Sequence, residues 1–239
     1  MLKISRQIMP NFFTIGNMFC GFMSVIFALV QQDVIWASWM IFLSTFMDAL
    51  DGKVARLANA SSKFGIEYDS LADNVSFGLA PSVLVYQFFF STWGTVGIFI
   101  SFFPLLFGSI RLARFNVQLD GFDKSEFKGL PTPAAALVLA GYILFLSRFF
   151  PGEVFPRVLL LLTLSVCVLM VSTISYDVVR IIPPRGNPLG IVLYAAGIIA
   201  VIALVFYPKV LLFPYILMYV LGGFIRFLYR LAKVKGIKG

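Results

Sequence analysis

An all-α, polytopic membrane bundle is the fold class this sequence predicts, and three observations predict it. Hydrophobic residues fill 60% of the 239 positions and charged residues only 13%, where a soluble domain carries about 25% charged. The apolar residues run in stretches near the ~20 residues that a helix needs to cross a bilayer. Lys and Arg gather in alternate connections between those stretches, the pattern of cytoplasmic loops. Within hydrocarbon the backbone must satisfy its own hydrogen bonds, so each stretch reads as a helix. With no internal repeat and no soluble domain, the sequence predicts one integral unit over 1–239.

The elements follow in order. Residues 1–10 set Lys3 and Arg6 among Leu2, Ile4, Ile8 and Met9, which suits a short amphipathic segment lying on the membrane face. Pro10 is expected to break it, and Asn11 to Thr14 open the first span. About eight spans are expected, at 12–31, 34–57, 70–91, 94–116, 131–149, 156–174, 189–207 and 210–231. A short polar stretch from Ala58 to Phe64 joins the second and third as an antiparallel hairpin. The longest polar segment, 117–130, leads into Pro131-Thr132-Pro133 and the fifth span. A second basic loop, Arg180 to Pro188, holds three prolines and a glycine and favours turns.

Charge sets the orientation. An even number of spans puts both termini on one side, and that side receives every Lys and Arg of the 19 except Arg148, Arg157 and Lys209. Both termini are therefore expected in the cytoplasm. The net charge of +8 is read as this topology signal, together with attraction to anionic headgroups rather than to nucleic acid. Cys20 and Cys167 fall in different apolar spans and read as small packing residues. Histidine is absent, which excludes Ser-His and Cys-His nucleophile schemes and leaves carboxylates or bound water as bases.

Against this apolar background, Asp48, Asp51, Asp69 and Asp73 stand out. A carboxylate inside a membrane-helix pattern is costly and marks a functional site by default. Asp48, Asp51, Gly52 and Ala55 share one helical face, as do Gly65, Asp69 and Asp73. If the hairpin brings the two faces together, the carboxylates surround one or two hard cations. Without a cation, several close carboxylates in a low dielectric cannot all ionise. Gly52, Ala55 and Gly65 leave room for a bulky ligand, or else serve close helix packing. Arg56 offers a forked contact to phosphate, or else flanks the span as a cytoplasmic charge.

The pattern Asp48-x2-Asp51-Gly52-x2-Ala55-Arg56-x8-Gly65-x3-Asp69-x3-Asp73 resembles the signature of the CDP-alcohol phosphotransferases at all its fixed positions. The resemblance implies a cytidine-diphosphate lipid as donor, an alcohol as acceptor and CMP as leaving group. It implies two divalent ions, Mg or Mn with Ca an option: Asp48, Asp51 and Asp69 on one, Asp48, Asp69 and Asp73 on the other. Asp73 is the implied base, and a homodimer is the implied assembly. Pro10, Asn11 and Thr14 are similar to the family's Pro-Asn-x2-Thr-x2-Asn opening, which Asn17 completes. With Gly52, Ala55, Arg56, Ser62 and Gly65 they are expected to bind the CDP-lipid; Asn11 could instead be a helix cap. On this reading 11–116 is a catalytic core, and 117–239 supplies the acceptor-side loop and remaining spans.

Two further segments narrow the acceptor. Arg111-Leu-Ala-Arg114-Phe-Asn116, then Gly129-Leu130-Pro131-Thr132-Pro133 and three alanines, are similar to the phosphatidylserine synthases of that superfamily. That resemblance covers residues 8 to 185 and implies CDP-diacylglycerol and L-serine as substrates. Arginine suits the serine carboxylate because it grips with two parallel hydrogen bonds. Arg111, Arg114, Asn116 and Lys128 are the expected serine pocket, against a reading in which these bases flank the span and bind lipid phosphates. Serine would approach from the cytoplasm, and the enzyme would sit in the cell membrane. Glycerol phosphate or inositol phosphate are alternative acceptors for the same chemistry. A cation-coupled transporter is a rival of another class, although such proteins usually show paired repeats and broken helices.

Overall fold

The computed structural model describes residues 8–58, 63–117, 129–176, 203–204 and 206–236. Most of those residues are helical, with no strand among them. α1 (Ile8–Leu29) and α2 (Val34–Ala58) run antiparallel along each other and make the most extensive helix pair. Their turn is set locally. Gln32 takes a positive φ of 53°, and Asp33 Oδ1 accepts from the backbone N–H of Ile35 and Trp36, both at 3.0 Å. That is an N-cap, which satisfies two donors the first turn of α2 leaves open. Pro10 lies within α1 and does not break it. Near a helix start the missing proline N–H costs no hydrogen bond. The rest of the expected amphipathic segment, residues 1–7, lies outside the described residues.

The expected third span is not one regular helix. α3 (Lys63–Asp73) passes into a π-helical segment, Asn74–Leu79, and then α4 (Ala80–Phe88). A π segment widens the turn by one residue per hydrogen bond and is common at functional sites. Here it starts at the residue after Asp73. The hairpin expectation is also modified: α1 packs against both α2 and α3, while α2 and α3 themselves barely touch. Close approach is instead between α1 and the π segment. A side chain at Gly21 would collide with the Ser76 backbone and hydroxyl, and Ser76 Oγ donates to the Asn17 carbonyl at 2.9 Å.

A 3₁₀ turn, Phe90–Trp93, and Gly94 at φ +56° redirect the chain into α5 (Gly94–Val117). Pro104 lies inside α5, and the following N–H, of Leu105, donates across to Ser82 Oγ of α4 at 3.0 Å. α6 (Thr132–Phe149) is buried on nearly all sides against α2, α4, α7 (Pro156–Val171) and α8 (Pro208–Gly236). A helix apolar all round belongs at the centre of such a bundle.

Among the described residues, five helices are long and apolar enough to cross a membrane: Phe12–Leu29, Val34–Val54, Phe90–Val117, Thr132–Phe149 and Pro208–Tyr229. They correspond to the expected first, second, fourth, fifth and eighth spans. The sixth is the shorter apolar helix Pro156–Val171, the third is divided by the π segment, and nearly all of the seventh lies outside the described residues. Cys20 and Cys167 are free and buried.

Candidate active site

The aspartates come from two helices that barely touch each other. Asp48 and Asp51 sit on the last turns of α2, and Asp69 and Asp73 on α3. Asp48, Asp69 and Asp73 each bring one carboxylate oxygen to within 4.8 Å of the others. Asp69 Oδ1 is buried with no hydrogen-bond partner among the described residues. Oxygens spaced this way suit a hard divalent cation, which binds them at about 2.0–2.6 Å. Asp51 is held differently: its Oδ2 accepts from the Thr14 hydroxyl of α1. It remains an electrostatic neighbour of Asp48 and Asp69.

Asp73 is the most enclosed of the three clustered aspartates, 9% exposed. Its Oδ1 accepts from Asn17 Nδ2 at 3.0 Å, and Asn17 Oδ1 accepts from Ser44 Oγ at 3.0 Å. Asn17 and Ser44 are both 0% exposed. The role of Asn17 beside Asp73, and Ser44 altogether, were missed in the sequence. A signal existed: Thr14 and Asn17 are one turn apart on α1, and Ser44 is one turn before Asp48 on α2.

The paired arginines of α5 part company. Arg111 is 7% exposed, is an electrostatic neighbour of Asp73 and Tyr219, and donates through a guanidinium nitrogen to Thr132 Oγ1 at 3.4 Å. Arg114 is exposed and donates to the carbonyl of Val171, the last residue of α7, at 3.0 Å. Asn116 joins α5 to α3, donating to Glu67 Oε2 and accepting from Ser70 Oγ, both at 3.1 Å. Thus Arg111 faces the aspartates, and Arg114 and Asn116 tie helices together. Lys128 lies outside the described residues, as does Ser62.

On the expected donor side, a Cβ added at Gly52 would meet nothing within 4 Å. Close helix packing among the described residues does not explain that glycine, whose side-chain position is open space. Gly65 is half-buried on α3. Pro10, Asn11, Ala55 and Arg56 have described helical backbone, but their side chains lie outside the description. The Gly129-Leu130-Pro131 segment has a structural task. Gly129 takes φ +95° with the Met170 carbonyl against it, and its N–H donates to the Ile174 carbonyl at 2.7 Å. Leu130 N–H donates to the Leu169 carbonyl at 2.9 Å. This docks the entry of α6 on the end of α7 and delivers Thr132 to Arg111.

Residues 7–174 match the family model described as CDP-alcohol phosphatidyltransferase. A Helicobacter pylori protein named CDP-diacylglycerol–serine O-phosphatidyltransferase is 42% identical over 169 residues, covering 70% of this chain and 70% of that one. Proteins of the same name match from Mycobacterium leprae, 30% identical over 223 residues with 91% of this chain and 72% of that one covered, and from Methanocaldococcus jannaschii, 35% over 159 residues with 66% and 69% covered.

Proposed function

The chain belongs to the CDP-alcohol phosphatidyltransferase family, and from that premise we propose the reaction and the residues that carry it. The enzyme moves the phosphatidyl group of CDP-diacylglycerol to the hydroxyl of L-serine, giving phosphatidylserine and CMP. Its relatives' shared name supports that acceptor. The observation that carries the site is the convergence of Asp48, Asp69 and Asp73 oxygens within 4.8 Å.

Asp48, Asp69 and Asp73, with Asp51 beside them, hold one or two divalent ions, Mg or Mn, with Ca as a further candidate. Such ions supply neutralisation of charge on the pyrophosphate and on the departing CMP. The residues of the chain do the rest. Arg111 pairs with the serine carboxylate and turns the hydroxyl toward Asp73. Asp73 accepts the hydroxyl proton as the serine oxygen bonds to the phosphorus that carries the diacylglycerol, and the bond from that phosphorus to CMP breaks. Thr14 orients Asp51. Gly52 leaves room for the CDP group, with Ala55, Arg56, Ser62 and Gly65 continuing the donor path and Pro10 and Asn11 at its N-terminal edge. The acyl tails leave sideways into the bilayer.

The topology proposed with this reading is a single integral domain of eight spans in the cell membrane. Both termini and the aspartates face the cytoplasm, supported by the Lys and Arg distribution. The assembly is a homodimer by family resemblance. Incubating the purified protein with CDP-diacylglycerol and serine, glycerol phosphate or inositol phosphate, reading CMP and lipid product, tests the assignment. CMP release that depends on serine is the expected result. Release with a phosphorylated acceptor instead reassigns the acceptor, and no release with any rejects the transferase reading.

A further inference from the structure

Three helical elements converge on one carboxylate. Asp73 ends α3 immediately before the π segment. Asn17 reaches it from α1, and Ser44 reaches Asn17 from α2. An asparagine amide has one acceptor end and one donor end, and its orientation is decided by its partners. The Asp73 carboxylate oxygen accepts, so the amide nitrogen is the end that meets it, and the Ser44 hydroxyl donates to the remaining Asn17 Oδ1 at 3.0 Å. The Asn17 backbone is fixed as well, because its carbonyl accepts from Ser76 Oγ at 2.9 Å and Gly21 allows that close approach. Both polar side chains are fully buried, so water does not compete for either bond.

We propose that Ser44 and Asn17 are positioning residues for Asp73: the serine hydroxyl holds the asparagine amide in place, and the amide pins one carboxylate oxygen so that the other faces the reaction. The proposal rests on the reading of Asp73 as part of the transfer site. A buried serine on the same helix pair provides an internal comparison. Ser24 Oγ donates to the Ala37 carbonyl at 2.9 Å, also fully buried between α1 and α2, with no link to an aspartate.

The experiment compares Ser44→Val, Ser44→Thr, Ser24→Ala and Asp73→Asn in detergent, with CDP-diacylglycerol and Mg saturating and serine titrated against CMP release. Val and Thr have nearly the same shape and differ in the hydroxyl. Ser44→Val should lower kcat roughly 10- to 100-fold, the usual effect of losing a group that orients a ligand. Its KM for serine and for donor should stay parental, and Ser44→Thr should restore kcat at the same melting temperature. Ser24→Ala should keep the parental kcat. Equal kcat for the Val and Thr variants overturns the proposal, as does a loss in Ser24→Ala matching that in Ser44→Val. Should Ser44→Val not purify, Ser44→Ala decides, since it removes the hydroxyl without adding bulk or charge. Parental kcat there overturns the proposal, and a fall in kcat at parental donor KM upholds it. Asp73→Asn separates the two levels: an active variant removes the reading of Asp73 and this proposal with it. An inactive Asp73→Asn beside a parental Ser44→Val removes the proposal alone.

Discussion

Arg114 donates to the main-chain carbonyl of Val171 at 3.0 Å, which takes one of two neighbouring arginines away from the aspartates and sets it on the end of α7. Cations near a helix C-terminus meet both the open carbonyls and the negative end of the dipole. Arg111, one turn earlier, is buried next to Asp73. The two should therefore fail differently. Arg111→Ala should raise the serine KM about ten- to a hundred-fold, the equivalent of the ~1.5–3 kcal/mol of a charge-assisted contact. Arg114→Ala should lower the melting temperature while the serine KM stays near parental. Serine titration and a thermal melt of each variant check this, and a KM shift confined to Arg114→Ala would reverse the assignment.

The clustered aspartates should be intolerant of neutralisation. Asp48→Asn, Asp69→Asn and Asp73→Asn keep size and lose a ligand charge, and each should abolish turnover. Chelation should stop the reaction, and added Mg or Mn should restore it. Near-parental activity of Asp69→Asn at saturating metal is the result that dismisses the metal site.

Asp51 should behave as half of a pair. Its Oδ2 takes the Thr14 hydroxyl, so Thr14→Val and Asp51→Ala both remove that hydrogen bond. Partners in one bond are non-additive, with coupling of about 0.5–3 kcal/mol. The double variant should be little worse than Asp51→Ala alone in CMP release. Additive losses would mean that Thr14 acts elsewhere, at the donor.

Two glycines should separate ligand space from packing. Gly52→Leu meets open space, so the protein should fold and melt as the parent does while donor binding is lost. Gly21→Ala collides with Ser76 and should destabilise by roughly 1–3 kcal/mol, the range for overpacking. Donor binding and melting of both variants check the pair. Normal donor binding by Gly52→Leu would remove Gly52 from the pocket.

Much of this was legible in the sequence, and the misses share a cause. Apolar length located α1, α2, α5, α6 and α8 because a membrane-crossing helix has to be long and apolar. Helical spacing put Asp48 with Asp51 and Asp69 with Asp73 because the side-chain period is local. The π segment after Asp73 escaped because Asn74–Leu79 sits inside an otherwise apolar run, and a change of hydrogen-bond register leaves no compositional mark. The parting of Arg111 and Arg114 escaped because three-residue spacing gives a shared face but not what each side chain meets across it. Ser44 and Asn17 act across helix pairs, 27 residues apart. Only packing shows that they touch.

Gly129 gives the last prediction, because its segment looks like a recognition motif and behaves as a joint. A φ of +95° is a conformation L residues rarely adopt, and a Cβ there would press into the Met170 carbonyl. Gly129→Ala should therefore loosen the docking of 129–131 on the end of α7 and lower the melting temperature. It should also raise the serine KM, because the same segment carries Thr132 to Arg111. Thr132→Val isolates the second effect. It removes one hydroxyl from a long 3.4 Å contact, so the serine KM should rise only a few-fold, in line with ~0.5–1.5 kcal/mol for a typical hydrogen bond, with the melt unchanged. Melting and serine titration of both variants decide the point. If Gly129→Ala melts as the parent but loses serine affinity, the segment contacts the acceptor directly, and its backbone strain is not what the glycine is for.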